Sequence, residues 1–172
     1  MRVSCIVPVR WSEPRVLTLL EALRAQLAAA GPAAPPAPDT GEAAGEIIAV
    51  VMDGGNGRDG GAGLLPDLER RARIIAAAPS TPAAVRNLAA AQAQGDFLVF
   101  IDDDCVPEAG WLDRLLAAAT DPAVGAVAGG VLPAPAVTFT EKYLGAYGLP
   151  LPEDAAVYDR VLPFVSFGHS AN

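Results

Sequence analysis

Three apolar runs constrain this chain more than any other feature. Val3 to Val9 reads "VSCIVPV", Glu46 to Val51 reads "EIIAVV", and Phe97 to Ile101 reads "FLVFI". None alternates apolar with polar residues, so each reads as a strand covered on both faces. Helical patterns separate them. From Glu13 onward, Val16, Leu19, Leu20, Leu23 and Leu27 form an apolar stripe, with Ser12 as N-cap and Pro14 in the first turn. Between Pro82 and Gln94 good helix formers follow Thr81 and Pro82 and stop at Gly95. Leu64 to Arg71 and Trp111 to Ala119 are predicted helices, and Arg73 to Ala78 and Val124 to Val131 predicted strands. Strands alternating with helices imply an α/β fold with a mostly parallel sheet and helices on both faces.

At 172 residues the chain is expected to form a single domain. The segment from Ala28 to Glu46, "AAAGPAAPPAPDTGEAAGE", has no apolar period and is expected to be a flexible loop. No apolar run reaches the roughly 18 to 20 residues of a membrane span. The N-terminus reads as a first strand rather than a signal peptide, so the expected compartment is the cytoplasm, with a peripheral place at the membrane as the alternative. Net charge is −8 and the basic residues are scattered, which argues against a nucleic-acid partner. Cys5 and Cys105 form no CxxC pair and are expected to be free thiols.

The chemistry concentrates where strands end. Asp53 closes the second run before a glycine cluster, and Asp102, Asp103 and Asp104 close "FLVFIDDDC". In a parallel sheet ligands bind outside the carboxyl ends of the strands, so all four acids are expected at one edge. Crowded carboxylates repel one another unless a cation or donors offset them. An extended backbone through Asp104 would turn Asp102 and Asp104 to one side. Two carboxylates suit a hard cation, Mg²⁺ or Mn²⁺, and a diphosphate completes its coordination. The bland alternative is that the aspartates cap a helix starting near Pro107.

"SCIVPVRW", "VVMDGGN" and "STPAAVRNLAAAQAQGDFLVFIDDDCVPEAGWL", in that order, resemble the GT-A fold glycosyltransferases of family 2. The strongest part runs from Ala84 to Leu112, and the resemblance as a whole extends from about Val3 to the end of the chain. It implies a GT-A, Rossmann-like sheet and transfer of a sugar from a UDP- or GDP-linked donor to a glycan, lipid or small-molecule hydroxyl, dependent on Mn²⁺ or Mg²⁺ and inverting. It implies that Pro8, Val9 and Arg10 line the nucleobase and ribose pocket and that Asp53 contacts base or ribose. Arg86 would lie near the nucleotide and its diphosphate, Asp102 on the ribose or sugar side, Asp103 within the nucleotide-sugar site, and Asp104 on the metal. The second strand departs from the family's Asp-Asp-Gly-Ser, carrying Asp53-Gly54-Gly55-Asn56 instead.

"FGHSAN" resembles the start of the family's Gly-x-x-x-Asn segment, and the family's catalytic base stands further on. The chain is therefore expected to lack its C-terminal acceptor and base portion. A nucleotide-sugar-binding module without turnover is the alternative function. Glu153, Asp154 and Asp159 are expected to be solvated, His169 structural, and Phe139, Tyr143, Tyr147 and Tyr158 core residues. A phospho-acceptor receiver domain fits poorly, because the first strand has no acid and Lys142 is the only lysine.

Overall fold

The computed structural model describes residues 2–9, 14–30, 45–52, 61–78, 80–131 and 135–147. The elements are β1 (Val3–Val9), α1 (Pro14–Ala29), β2 (Gly45–Val51), α2 (Gly61–Glu69), β3 (Arg73–Ala76), α3 (Pro82–Ala90), β4 (Phe97–Phe100), α4 (Trp111–Ala118) and α5 (Phe139–Tyr147). Four strands form one parallel sheet in the order β3-β2-β1-β4. The α/β, mostly parallel expectation is therefore met. The chain divides into two compact units, Met1–Arg114 and Leu115–Asn172, and the division falls within α4.

In the first unit helices cover both faces of β1 and β2, and side-chain alternation along each strand decides which residue meets which helix. The expectation that the run from Phe97 is covered on both faces is not met, since Leu98 and Phe100 of β4 are 40% and 46% exposed. Odd-numbered residues of β1 and β2 face α1. A Cβ on Gly45 would lie 2.9 Å from Leu27 Cδ2, which places α1 on that side. The predicted stripe of α1, Val16, Leu19, Leu20, Leu23 and Leu27, is buried throughout, with Cys5 and Val7 beneath it. Even-numbered residues face α3, where Ile6, Ile48, Val50 and Met52 pack with Val85 and Ala89. Right-handed crossovers demand this split, because β1 to β2 to β3 steps one way along the sheet and β3 to β4 steps back across it.

The stretch expected to be a loop, Ala28 to Glu46, overlaps the elements on either side. α1 carries on through Ala29 and β2 begins at Gly45; positions 31–44 lie outside the described residues. α3 starts as predicted, with Thr81 as N-cap accepting from the Ala84 amide at 3.2 Å and Pro82 at the first helical position. It ends at Ala90, several residues before Gly95.

One polar network ties the amino edge of the sheet together. Ser4 is the buried polar residue of β1, and its hydroxyl donates to Glu46 Oε1 at 2.8 Å and accepts from the Gly95 amide at 2.9 Å. Glu46 Oε1 also accepts from the Gln94 amide at 2.7 Å, while Oε2 accepts from Arg73 at 3.2 Å. Burial pushes the Glu46 carboxyl up, but the Gln94 amide, the Ser4 hydroxyl and Arg73 outweigh it and hold the group below its ordinary value of 4.5. A carboxylate with a depressed folded pKa stabilises the fold above its unfolded pKa and loses that contribution as pH falls through the folded one. Wild-type stability is thus expected to fall as the pH drops below about 4.5, the unfolded value, and Glu46→Gln is expected to flatten that dependence. Urea unfolding at pH 7, 5, 4 and 3 measures both slopes; parallel slopes would remove Glu46 from the account.

In the second unit, the strand expected at Val124 to Val131 does not form. The run has no regular secondary structure and is largely exposed, and a Cβ on Gly125 or Gly130 would meet nothing within 4 Å. Glycines without neighbours have nothing to pack and a high entropy of ordering, so the apolar composition there does not suffice for a strand. α5 is a helix that the sequence patterns above do not include. Its signal is a capping box, "TFTE": Glu141 N–H donates to Thr138 Oγ1 at 3.2 Å, and Thr138 N–H donates back to Glu141 Oε2 at 2.7 Å. Phe139 and Tyr143, expected in a core, are 83% and 57% exposed on that helix.

Candidate functional site at the carboxyl edge of the sheet

Pro8 shapes the edge where the ligand-binding residues are expected. Even-numbered residues of β1 turn their backbone groups toward β4, since the Ile6 carbonyl accepts from the Ile101 amide at 3.2 Å. Odd-numbered residues turn theirs toward β2, since the Val9 carbonyl accepts from the Met52 amide at 3.2 Å. Proline at an even position therefore lacks the N–H that would have bonded β4. The β1–β2 ladder runs to Val9 and Val51, whereas the β1–β4 ladder stops at Ile6 and Phe100. Pro8 itself sits inside β1, and the strand whose pairing it ends is the neighbour.

Released from the sheet, the chain turns at once. The Cys105 amide donates to the Asp102 carbonyl at 3.1 Å, closing a β-turn with Asp103 and Asp104 at its centre. This corrects the expectation of an extended backbone through Asp104: Asp102 and Asp104 are not brought to one side by a strand period. The turn also disposes of the helix-cap alternative, because the next helix begins only at Trp111. Six residues separate Asp104 from it, and its entry is held by Gln26 of α1, whose amide donates to the Glu108 carbonyl at 3.0 Å and accepts from the Leu112 amide at 2.9 Å. The sequence holds no signal for Gln26, an ordinary polar residue on a helix.

Asp102 follows Leu98 and Phe100 on the side of the sheet where α3 packs against β1 and β2, although those two β4 side chains are themselves exposed. Arg86, one residue beyond the buried Val85, reaches it there, and its guanidinium forms an ion pair with Asp102 Oδ1. The side chains are 27% and 17% exposed. Asp103 is half-buried, and Asp104 is exposed. Among the described residues Asp104 forms no ion pair; the Cys105 thiol lies 3.9 Å from its Oδ1. Burial, then the charges of Asp104 and Asp102, push the Cys105 thiol up to about 11, so it stays protonated at neutral pH. Cys5, buried under α1, is pushed up to about 12 by desolvation. Both cysteines are free, as expected.

The structure thus brings Pro8, Val9, Arg86, Asp102, Asp103 and Asp104 to the carboxyl edge of β1 and β4 and to α3 beside them. Arg10, Asp53, Glu153, Asp154, Tyr158, Asp159 and His169 lie outside the described residues. Among the described residues, no group of three or more His, Cys, Asp or Glu stands together as a ready metal cage. Asp104 supplies one exposed, hard oxygen donor. That donor set fits a hard cation taking one carboxylate and filling its remaining positions from phosphate and water.

A parallel sheet with helices on both faces, and with an arginine and a run of aspartates at the end of its edge strand, defines an α/β protein with an acidic ligand edge. Residues 4–171 match the family described as Glycosyl transferase family 2, and the chain belongs to that family. This agrees with the motif resemblance. The chain is similar to the crystal structure of S. aureus TarS residues 1–349, with 24% identity and a TM-score of 0.45, covering 68% of this chain and 32% of that one. It is also similar to a second structure of S. aureus TarS, with 23% identity and a TM-score of 0.37, covering 60% of this chain and 17% of that one. The chain therefore spans about a third of the first and less of the second. No curated protein matches it. Among the described residues, no helix is long and apolar enough to cross a membrane.

Proposed function

We propose that this chain carries the donor-binding part of a metal-dependent, inverting glycosyltransferase that takes a sugar from a UDP- or GDP-linked donor. The observation that supports the reading most is the β-turn from Asp102 to Cys105 at the end of β4, with Arg86 docked on Asp102, in a chain of family 2. Pro8, Val9, Arg10, Asp53, Arg86, Asp102 and Asp103 form the nucleotide-sugar site, and Asp104 holds Mn²⁺ or Mg²⁺. When bound, the cation offsets the charge of the donor diphosphate and of the phosphate oxygen from which the sugar departs.

The protein's own residues do the rest. Pro8, by ending the β1–β4 ladder early, leaves room at the sheet edge for a flat nucleoside. Asp102 accepts hydrogen bonds from donor hydroxyls, because an anionic diphosphate has none to give it. Asp104 projects into solvent, where a phosphate can share its cation. The acceptor is a glycan, lipid or small-molecule hydroxyl, the base that deprotonates it lies outside the described residues, and the compartment is the cytoplasm, with a peripheral place at the membrane as the alternative.

Calorimetric titration of UDP, and then GDP, into the 172-residue chain with and without Mn²⁺ tests the reading. One of the two is expected to bind only when Mn²⁺ is present, and removal of the metal with a chelator is expected to release it. Folded protein that binds neither nucleotide under either condition would sink the assignment.

A further inference from the structure

The Arg86–Asp102 pair carries an inference beyond donor binding as such. The family resemblance implies Arg86 beside the diphosphate, as a cation for an anion. The geometry gives it a different role, and we infer that Arg86 is a positioning residue, holding the Asp102 carboxylate in place as an acceptor for the donor's ribose hydroxyls. The inference rests on the functional reading above and says how one part of that site works.

Several observations converge on it. α3 is fixed in rotation by Val85 and Ala89, both buried against Ile6, Ile48, Val50 and Met52. Arg86, next to Val85, is therefore delivered to one place, and that place is Asp102. The partner is fixed just as firmly, because Ile101 still bonds the Ile6 carbonyl and side-chain alternation then aims Asp102 at the α3 face. Both groups are mostly shielded from water, at 27% and 17% exposure. A shielded carboxylate beside two further aspartates stays put only with a counter-charge against it.

The stoichiometry of contacts leaves Asp102 able to serve a ligand. Arg86 engages Oδ1, and among the described residues Oδ2 has no hydrogen-bond partner. A carboxylate oxygen can only accept, so its ligand must bring a donor. Diphosphate oxygens bring none, whereas the two ribose hydroxyls of a nucleotide do. Asp102 also shares its sheet face with Pro8, the residue proposed to line the ribose pocket. Arg86, its positive charge already met by Asp102, is a weaker anchor for the diphosphate than an unengaged arginine would be.

Two ligands separate positioning from direct phosphate contact: UDP, and uridine, which keeps the ribose and lacks both phosphates. Each is titrated in Mn²⁺ against the wild-type chain, Arg86→Met, Asp102→Asn and the double variant, with guanosine and GDP replacing them if GDP is the nucleotide that binds. Arg86→Met and Asp102→Asn are each expected to weaken nucleoside and diphosphate alike, by roughly tenfold, the scale of one charged hydrogen bond. The double variant is expected to be no weaker than the worse single one, since both substitutions remove the same acceptor. Thermal unfolding of each variant accompanies the titrations. Arg86→Gln, which keeps an amide donor for Asp102, takes the place of Arg86→Met if that variant does not fold.

A loss confined to the diphosphate, with uridine within about twofold of wild type, would overturn the inference while leaving donor binding intact. So would losses that multiply in the double variant. Wild-type protein that binds none of the four ligands overturns the functional reading itself, and the inference with it.

Discussion

Replacing Asp104 by asparagine is expected to abolish the Mn²⁺ dependence of nucleotide binding while leaving the fold untouched. The side chain is exposed, and its contact with the protonated Cys105 thiol, 3.9 Å from Oδ1, is weak. Little stability therefore depends on it, and the thermal midpoint is expected to stay near that of wild type. Binding should suffer far more. Asparagine keeps the shape and one oxygen but loses the charge that makes a carboxylate a ligand for a hard cation. The expected weakening in Mn²⁺ is on the order of 100-fold, which corresponds to about 2.7 kcal/mol. In the absence of metal the variant and the wild type should bind nucleotide equally poorly, so calorimetry with and without Mn²⁺ isolates the effect. Undiminished metal-dependent binding by the variant would move the cation to another residue.

The second large effect is structural and lies at the opposite edge of the sheet. An alanine at Gly95 would place its Cβ 2.6 Å from the Ser4 nitrogen, 2.7 Å from Ser4 Oγ and 2.8 Å from the Val3 carbonyl carbon. Two of those atoms are backbone of β1, which lies between β2 and β4 and cannot yield without disturbing both ladders. The Gly95 amide would also be driven from the Ser4 hydroxyl, opening the network that holds Glu46. Gly95→Ala is expected to cost about 2–4 kcal/mol in urea unfolding at pH 7, toward the upper end for a single substitution. Ser4→Gly in the same chain should recover only a small part, because the tightest contact is to a main-chain atom. Full recovery would mean that the clash is with the side chain alone.

These two residues show how differently the sequence announces its features. Gly95 is legible only as a helix stop. Its close approach to β1 depends on a strand about ninety positions away in the chain, and nothing local encodes it. Asp104 is legible as a member of an acidic run, yet its relation to Asp102 is not, because extended geometry does not continue past the last ladder bond. The ladder ends where it does because of Pro8 on another strand. Arg86 is identifiable as a site residue, but its partner emerges only with the packing of Val85 and Ala89, which sets the rotation of α3. Gln26 carries no signal at all.

What the sequence determined by itself was everything that follows from short-range chemistry. Continuous apolar runs became parallel strands, buried in β1 and in most of β2, a 3.6-residue stripe became the inner face of α1, and Thr81 with Pro82 opened α3, because burial and capping are read over a few residues. The same logic placed the aspartates at the end of β4. Tertiary structure decided what depends on distant chain: which strand Pro8 would cut short, which aspartate Arg86 would hold, and that the apolar segment from Val124 to Val131 would go without a ladder. Register and side-chain pairing are relations between segments far apart in sequence, and their energies arise only when both partners are already in place.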